Sequence, residues 1–248
     1  MKLRTLFKTK ETGDDQWIAT ADIMATLMLI FAFIALIFTH QTIEKISKEV
    51  EVVQKSIYQA LIKEFNVNEL SRWGAVIDEK TGTVTFSGVV IQFDTDSDII
   101  KPAFKVILDD FFPRYVNTLR PFRGSIEEID VEGHSNSKIP KNYTMRDGYD
   151  HNMNLSQRRA YSVMKYSLDT LDNDVLLNIR NKYNVNWMQE IIRAVGYSSS
   201  KPVRTSFGEE DLLRSKRVQF RIRIDNNDFM EQIRKLQDPS MRGASGTL

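Results

Sequence analysis

The chain contains no cysteine, which removes disulfides, thiolate nucleophiles and thiolate metal sites together, without fixing the compartment. Histidine is scarce. His40, His134 and His151 lie far apart, with no HExxH or similar spacing, so they outline no metal site. An excess of one charge is missing too, since 34 Lys+Arg against 33 Asp+Glu leave a net charge of +1. No basic run with interleaved aromatics occurs, which argues against nucleic acid as a partner. GxSxG, P-loop and GxGxxG motifs are all absent, so neither an enzyme nor a cofactor is expected. No internal repeat or low-complexity tract stands out. With 248 residues the chain has room for one sizeable domain plus appendages.

What is present begins with "WIATADIMATLMLIFAFIALIF", Trp17 to Phe38, apolar except for two threonines and one acid. As a helix this run spans roughly 33 Å, about one hydrocarbon core. It exceeds the usual apolar core of a signal peptide, roughly 7–15 residues, and no small-x-small cleavage site follows. The length also argues against a buried soluble helix. Lys2, Arg4, Lys8 and Lys10 precede it, so the positive-inside rule expects a cytoplasmic N-terminus and the bulk of the chain outside the cytoplasm. Asp22 is the anomaly. A charged Asp at mid-bilayer costs about 2.5–3.5 kcal/mol, and somewhat less six residues into the span. Two readings stand. Either the acid snorkels to the headgroups, which a short side chain does poorly, or it is an ion-carrying carboxylate facing a protein interface. Thr26 falls on the same helical face, so a hydroxyl accompanies the acid.

Around this run the chain divides into a tail (1–16), the span (17–38), a helical stalk (39–70), a compact domain (71–225) and a C-terminal tail (226–248) expected to be disordered. The stalk has no Gly or Pro, and Ile46, Val50, Val53 and Ile57 form one apolar stripe. That stripe fits a stalk packing on its own domain or a seam between two copies. In the domain, "GAVIDEKTGTVTFSG" reads as a hairpin around a Thr-Gly turn. "KPAFKVILDDFFPRYV" reads as a helix with a kink at Pro113. "SIEEIDVEGH" reads as a half-buried strand, with Ile129 and Val131 inward and Asp130 and Glu132 outward. "LSQRRAYSVMKYSLDTL" has a helix face of Ala160, Val163, Met164, Ser167, Leu168 and Leu171. "EIIRAVGY" and "RVQFRIRID" read as further strands, the second with Val218, Phe220, Ile222 and Ile224 inward. Strands alternating with helices imply an α/β sandwich with a mixed sheet and one helix layer.

"WIATADIMATLMLIFAF" resembles the transmembrane helix of MotB-type stator subunits and is similar to that of ExbD and TolR, from which the helix alone does not separate it. The MotB resemblance implies that Asp22, with Thr26 beside it, carries a proton or sodium ion. "VEGHSNS" followed by "NMNLSQRRAYSV" resembles the OmpA-like peptidoglycan-binding domain, through Gly133, His134, Ser135 and Asn136 and through Asn152, Leu155, Ser156, Arg159 and Ala160. "VVIQFDTDSDIIKPA", with Phe93, resembles that domain's first strand and turn. The resemblance covers roughly 71–225 and implies a wall-binding site at Asn136, Asn152, Leu155 and Arg159. There Arg159 would fork onto a carboxylate of the stem peptide's diamino acid, and Asn152 would satisfy peptide amides. Asn136 departs from the family, which has an Asp facing the ligand's ammonium; Asp147 or Asp150, in the loop between the motifs, could substitute. His134 reads as a hydrogen-bonded structural residue.

Helix, stalk and wall-binding domain together resemble a stator subunit of the bacterial inner membrane. The resemblance implies two copies inside a ring of MotA-like channel subunits, five around two, with the C-terminal domain in the periplasm. Asp22 and Gly133 lie only 111 residues apart. In that, and in its short N-terminal tail, the chain is more similar to the MotB-like subunit of the Zorya anti-phage defence system than to a flagellar stator. A passive envelope tether is the alternative from another class, and Asp22 is what such an anchor has no use for.

Overall fold

A computed structural model describes residues 13–88, 91, 93–139, 141, 143–173 and 180–225. The expected disordered tail, 226–248, lies outside the described residues, as do Val89, Val90 and Gln92 of the segment likened to a first strand. The chain divides into two compact units, Met1–Glu49 and Val50–Leu248.

Helix α1, Gly13–Glu64, supplies nearly all that is described of the first unit. Its residues from Thr20 to Phe38 are all exposed, with Met28 at 72% and Leu36 at 67%. Among the described residues it is the one helix long and apolar enough to cross a membrane, with a peak mean hydropathy of 2.5. The Thr26 hydroxyl donates to the backbone carbonyl of Asp22 at 2.8 Å. It is therefore tied to the helix and not to the Asp22 carboxylate.

The second unit begins within α1. Ile57 is 1% exposed, and Leu61 and Phe65, which follow one and two turns later, are completely buried in the domain core. Half of the expected stripe is thus occupied by the chain itself: Ile57 is buried and Val53 packs beside it. The Ile46 side chain lies outside what is described. After Phe65 the chain turns at Asn66, whose side chain accepts from the Glu69 N–H at 3.0 Å and caps α2, Val67–Trp73. Arg114 bolts this turn to the domain, donating to the Glu64 carboxylate at 2.7 Å, the Glu64 carbonyl at 2.9 Å and the Glu69 carboxylate at 2.8 Å.

Five strands follow in a mixed sheet of order β1-β2-β5-β3-β4: β1 Ala75–Ile77, β2 Val84–Ser87, β3 Ile126–His134, β4 Ile192–Gly196 and β5 Arg217–Ile224. Among the described residues only the β3–β4 pair is parallel. The β1–β2 hairpin turns at Gly82, whose φ of 66° suits a residue without Cβ. Helices α3, Pro102–Leu119, α4, Met145–Asn173, and α5, Arg180–Ile191, complete the α/β sandwich, with a short α6, Leu212–Ser215. The core is aromatic: Phe111 meets Phe65, Phe86, Tyr115 and Phe220 at ring distances of 4.9–5.3 Å. That packing explains why α3 continues through Pro113 to Leu119. Phe111, Phe112, Tyr115 and Val116 are all fully buried around it, which offsets the ~3 kcal/mol that an interior proline costs.

Two expectations need correction. Asp130 and Glu132 do alternate away from Ile129 and Val131, but they are buried, at 1% and 0% exposure. Long arginines from β5 cover that sheet face, with Arg223 on Asp130 at 2.7 Å and Arg221 on Glu132 at 2.6 Å. Buried carboxylates persist when paired in this way. Asp147 and Asp150 are not in a loop but on α4. The helix starts early because the Thr144 hydroxyl accepts from the Asp147 N–H at 3.2 Å and donates to its carboxylate at 2.6 Å. Thr144-x-x-Asp147 is a capping-box pattern legible in the sequence.

Candidate functional site

The parts likened to a wall-binding site converge where the C-terminal ends of β3 and β4 meet the first half of α4. Close approach needs glycine there. A Cβ on Gly196 would stand 2.7 Å from the Gln157 nitrogen, and one on Gly133 would overlap the Ser156 carbonyl. Gln157 then acts as a strand would, donating to the Ala194 carbonyl at 2.9 Å and accepting from the Gly196 N–H at 2.6 Å. The Ser156 hydroxyl accepts from the Ser198 N–H at 2.9 Å. These two residues fix α4 in height and rotation, and so aim Asn152, Leu155 and Arg159. Sequence reasoning gave them no role.

Arg159 reaches the loop before α3. Its Nε donates to the Ser97 carbonyl at 2.8 Å and its Nη2 to the Asp94 carbonyl at 3.0 Å, with the guanidinium 5.0 Å from the centre of the Phe93 ring. Burial pulls its pKa down to about 10, although Asp96 and Asp98 act in the opposite sense. A guanidinium has five donors, so the edge formed by Nη1 and the second Nη2 hydrogen can still grip a carboxylate with two bonds.

The asparagines face inward. Asn152, 6% exposed, donates to the carbonyls of Asn136 and Lys138 at 3.3 and 3.4 Å, stapling the loop after β3. Asn136 donates to the Leu212 carbonyl at 3.1 Å, and Ser137 binds the Glu210 carboxylate through its N–H and its hydroxyl. Leu155 is buried. Arg159 therefore keeps free donors, while the amide donors of Asn136 and Asn152 hold the loop. Asp147 and Asp150 line a separate cleft of about 800 Å³ with Asp96, His151 and Arg158. Asp96 belongs to the loop that holds Arg159, and its carboxylate meets His151 Nε2 at 2.6 Å.

His134 ends β3 as a buried side chain, stacked at 4.9 Å on Tyr197. Its Nε2 lies 3.1 Å from the Glu132 carboxylate, and its Nδ1 has no partner among the described residues. Burial pushes the imidazole pKa down, because a second N–H would have no acceptor; the hydrogen bond to Glu132 acts against this without reversing it. Burial alone would raise Glu132, but the bond from His134 and the Arg221 guanidinium hold it below the usual range. Both shifts have one sign for stability. The unfolded chain takes up protons first, so stability is present above pH 6.5 and falls as pH drops below it, with Glu132 adding its loss below pH 4.5. Thermal melts between pH 7.5 and 5 should show Tm falling, and His134→Gln should flatten that slope. A variant slope equal to the parent's would place the titration elsewhere.

No protein-family model matches the chain. Among solved structures it is similar to a MotB-like protein from Desulfovibrio vulgaris, with 20% identity, 73% of this chain and 97% of that one covered, and a TM-score of 0.46. It is also similar to the cell wall anchor of the T6SS from Pseudomonas aeruginosa, with 22% identity, coverage of 66% and 97%, and a TM-score of 0.42. The sequence relationship is much stronger. Zorya protein ZorB of Escherichia coli is 35% identical over 233 residues, covering 92% of this chain and 94% of that protein. An identity of that size, sustained over nearly the whole of both chains, makes this chain a member of the ZorB family.

Proposed function

We propose that the chain is the ion-carrying, wall-anchoring subunit of an inner-membrane motor serving Zorya anti-phage defence. The observation that carries this reading is Asp22. It is an acid within an apolar helix whose side chains from Thr20 to Phe38 are all exposed, so its partner must come from another chain or from lipid. A mere anchor gains nothing from that acid. The basic N-terminal residues put the N-terminus in the cytoplasm and the α/β domain in the periplasm. Two copies stand within a five-membered ring of MotA-like subunits. A proton or sodium ion neutralises Asp22 on one side of the membrane and leaves it on the other. Each charge crossing 100 mV supplies about 2.3 kcal/mol, enough to bias a choice between two sets of helix contacts. The domain holds the pair against the wall, and Arg159 grips a carboxylate of a peptidoglycan stem peptide with its free edge.

The anchoring half is tested by pelleting the full-length protein in detergent with purified sacculi. Arg159→Ala removes one partner of a charge-assisted pair, a loss of about 2–5 kcal/mol. Since tenfold is about 1.4 kcal/mol, retention should fall more than tenfold. Arg159→Lys keeps the charge without the fork and should fall between. Because the loop carbonyls also lose a donor, Tm is read alongside. Unchanged retention by the Ala variant would remove the anchoring half.

A further inference from the structure

Among the described residues, the half-buried arginines of the domain divide into two pairs. Arg114 and Arg221 each have a carboxylate within ion-pair distance. Arg159 and Arg217, both half-buried, have none among the described residues. Main-chain carbonyls and an amide hold them instead: Arg217 donates to Gln219 Oε1 at 3.1 Å and to the carbonyls of Lys201 and Ser215 at 3.0 and 3.3 Å. Burial lowers the pKa of both, the shift expected of a withdrawn cation whose counter-charge is too distant to balance it.

The two line one notch. Its walls include Phe93, His134, Arg159, Lys216 and Arg217, and its volume is about 20 Å³. No acid lines it, and His134, neutral at pH 7, adds no charge. A space of that size admits roughly one water-sized atom. Lys216 has no hydrogen bond or ion pair among the described residues, so its ammonium is free to turn toward whatever enters. Cations around a one-atom opening whose lining holds no carboxylate fit a single anionic oxygen at the end of a larger ligand.

We propose that this notch is a carboxylate seat, in which Lys216 and Arg217 join Arg159 in taking one oxygen of the ligand, so that the site selects a free carboxylate over its amide. The identity of the ligand rests on the wall-binding reading; the geometry asks only for a carboxylate. Lys216, between α6 and β5, and Arg217, the first residue of β5, thereby become binding residues alongside Arg159 of α4.

The probe is 2,6-diaminoheptanedioate, set against its diamide, which keeps both amines and has no carboxylate. Calorimetric titration and thermal shift of the full-length protein in detergent should show the diacid bound and the diamide at least tenfold weaker. Lys216→Ala should weaken the diacid three- to tenfold with Tm of the free protein unchanged, and Lys216→Glu more than tenfold. Arg217→Gln should move affinity the same way, with Tm followed because it also loses carbonyl contacts. A structural role alone would not separate acid from amide. Equal binding of the two probes, no binding of the diacid, or parent-like affinity in both Lys216 variants would each overturn the seat. The same preparations are pelleted with sacculi. Pelleting without diacid binding would end this inference and leave wall anchoring intact. Diacid binding that depends on Lys216, without pelleting, would do the reverse.

Discussion

Asp22→Asn should leave the protein in the membrane at parental levels and abolish protection against phage. The amide has the shape of the acid, and it removes the cost of a charge six residues into the span, somewhat below the ~2.5–3.5 kcal/mol of a mid-bilayer acid, so insertion should not suffer. What it loses is the ability to bind and release an ion across the potential, worth about 2.3 kcal/mol per charge at 100 mV, and without that step no cycle turns. Asp22→Glu keeps the carboxylate on a longer arm and should retain part of the activity. Plaquing efficiency with protein levels read in parallel measures both. A fully protective Asn variant would reduce the span to an anchor.

The second large effect concerns where the domain begins. A fragment starting at Ser71 matches the domain limits read from composition and motifs, yet it lacks Ile57, Leu61 and Phe65, all buried in the core. Phe65 lies 5.3 Å from the Phe111 ring and 5.9 Å from Trp73, with Arg114 over its face at 4.7 Å. Burying side chains of this kind contributes about 1.5–3 kcal/mol each. Losing three would consume most of the ~5–15 kcal/mol that stabilises a typical domain. The Ser71 fragment should melt without a cooperative transition, whereas one starting at Val50 should melt cooperatively. Within the full chain, Leu61→Ala and Phe65→Ala should each cost about 2–5 kcal/mol. Equal melting temperatures for the two fragments would show that the end of α1 is dispensable.

The structure also redirects the obvious repair of Asn136. Restoring the family's aspartate there looks like a gain in grip on an ammonium. Asn136, however, donates to the Leu212 carbonyl, and a carboxylate would face that oxygen without a proton to give. The loop after β3 would lose its tie to α6 before any ligand arrived.

Local pattern explains what was legible. The strand alternation of β3 and β5 and the buried face of α4 follow from periodicities of 2 and 3.6, which the sequence carries without reference to anything distant. The same holds for the apolar run and its acid, and for the Thr81–Gly82 turn. The Thr144–Asp147 box that starts α4 was equally local and could have been read.

Composition and spacing alone determined that the chain has one apolar run with an acid in it and an α/β pattern of strands and helices, while the arginine on α4 was singled out by the resemblance of its motif to the OmpA-like domain. Only the tertiary structure decided what those groups can still do. Arg159 spends two donors on carbonyls 62 and 65 residues away. Asn136 is tied to a carbonyl 76 residues on. Asp130 meets Arg223 across 93 residues, and burial follows from that pairing rather than from either residue's polarity. Partners so far apart in sequence leave no periodic trace, because whether a side chain is spent or free depends on strand order and helix docking.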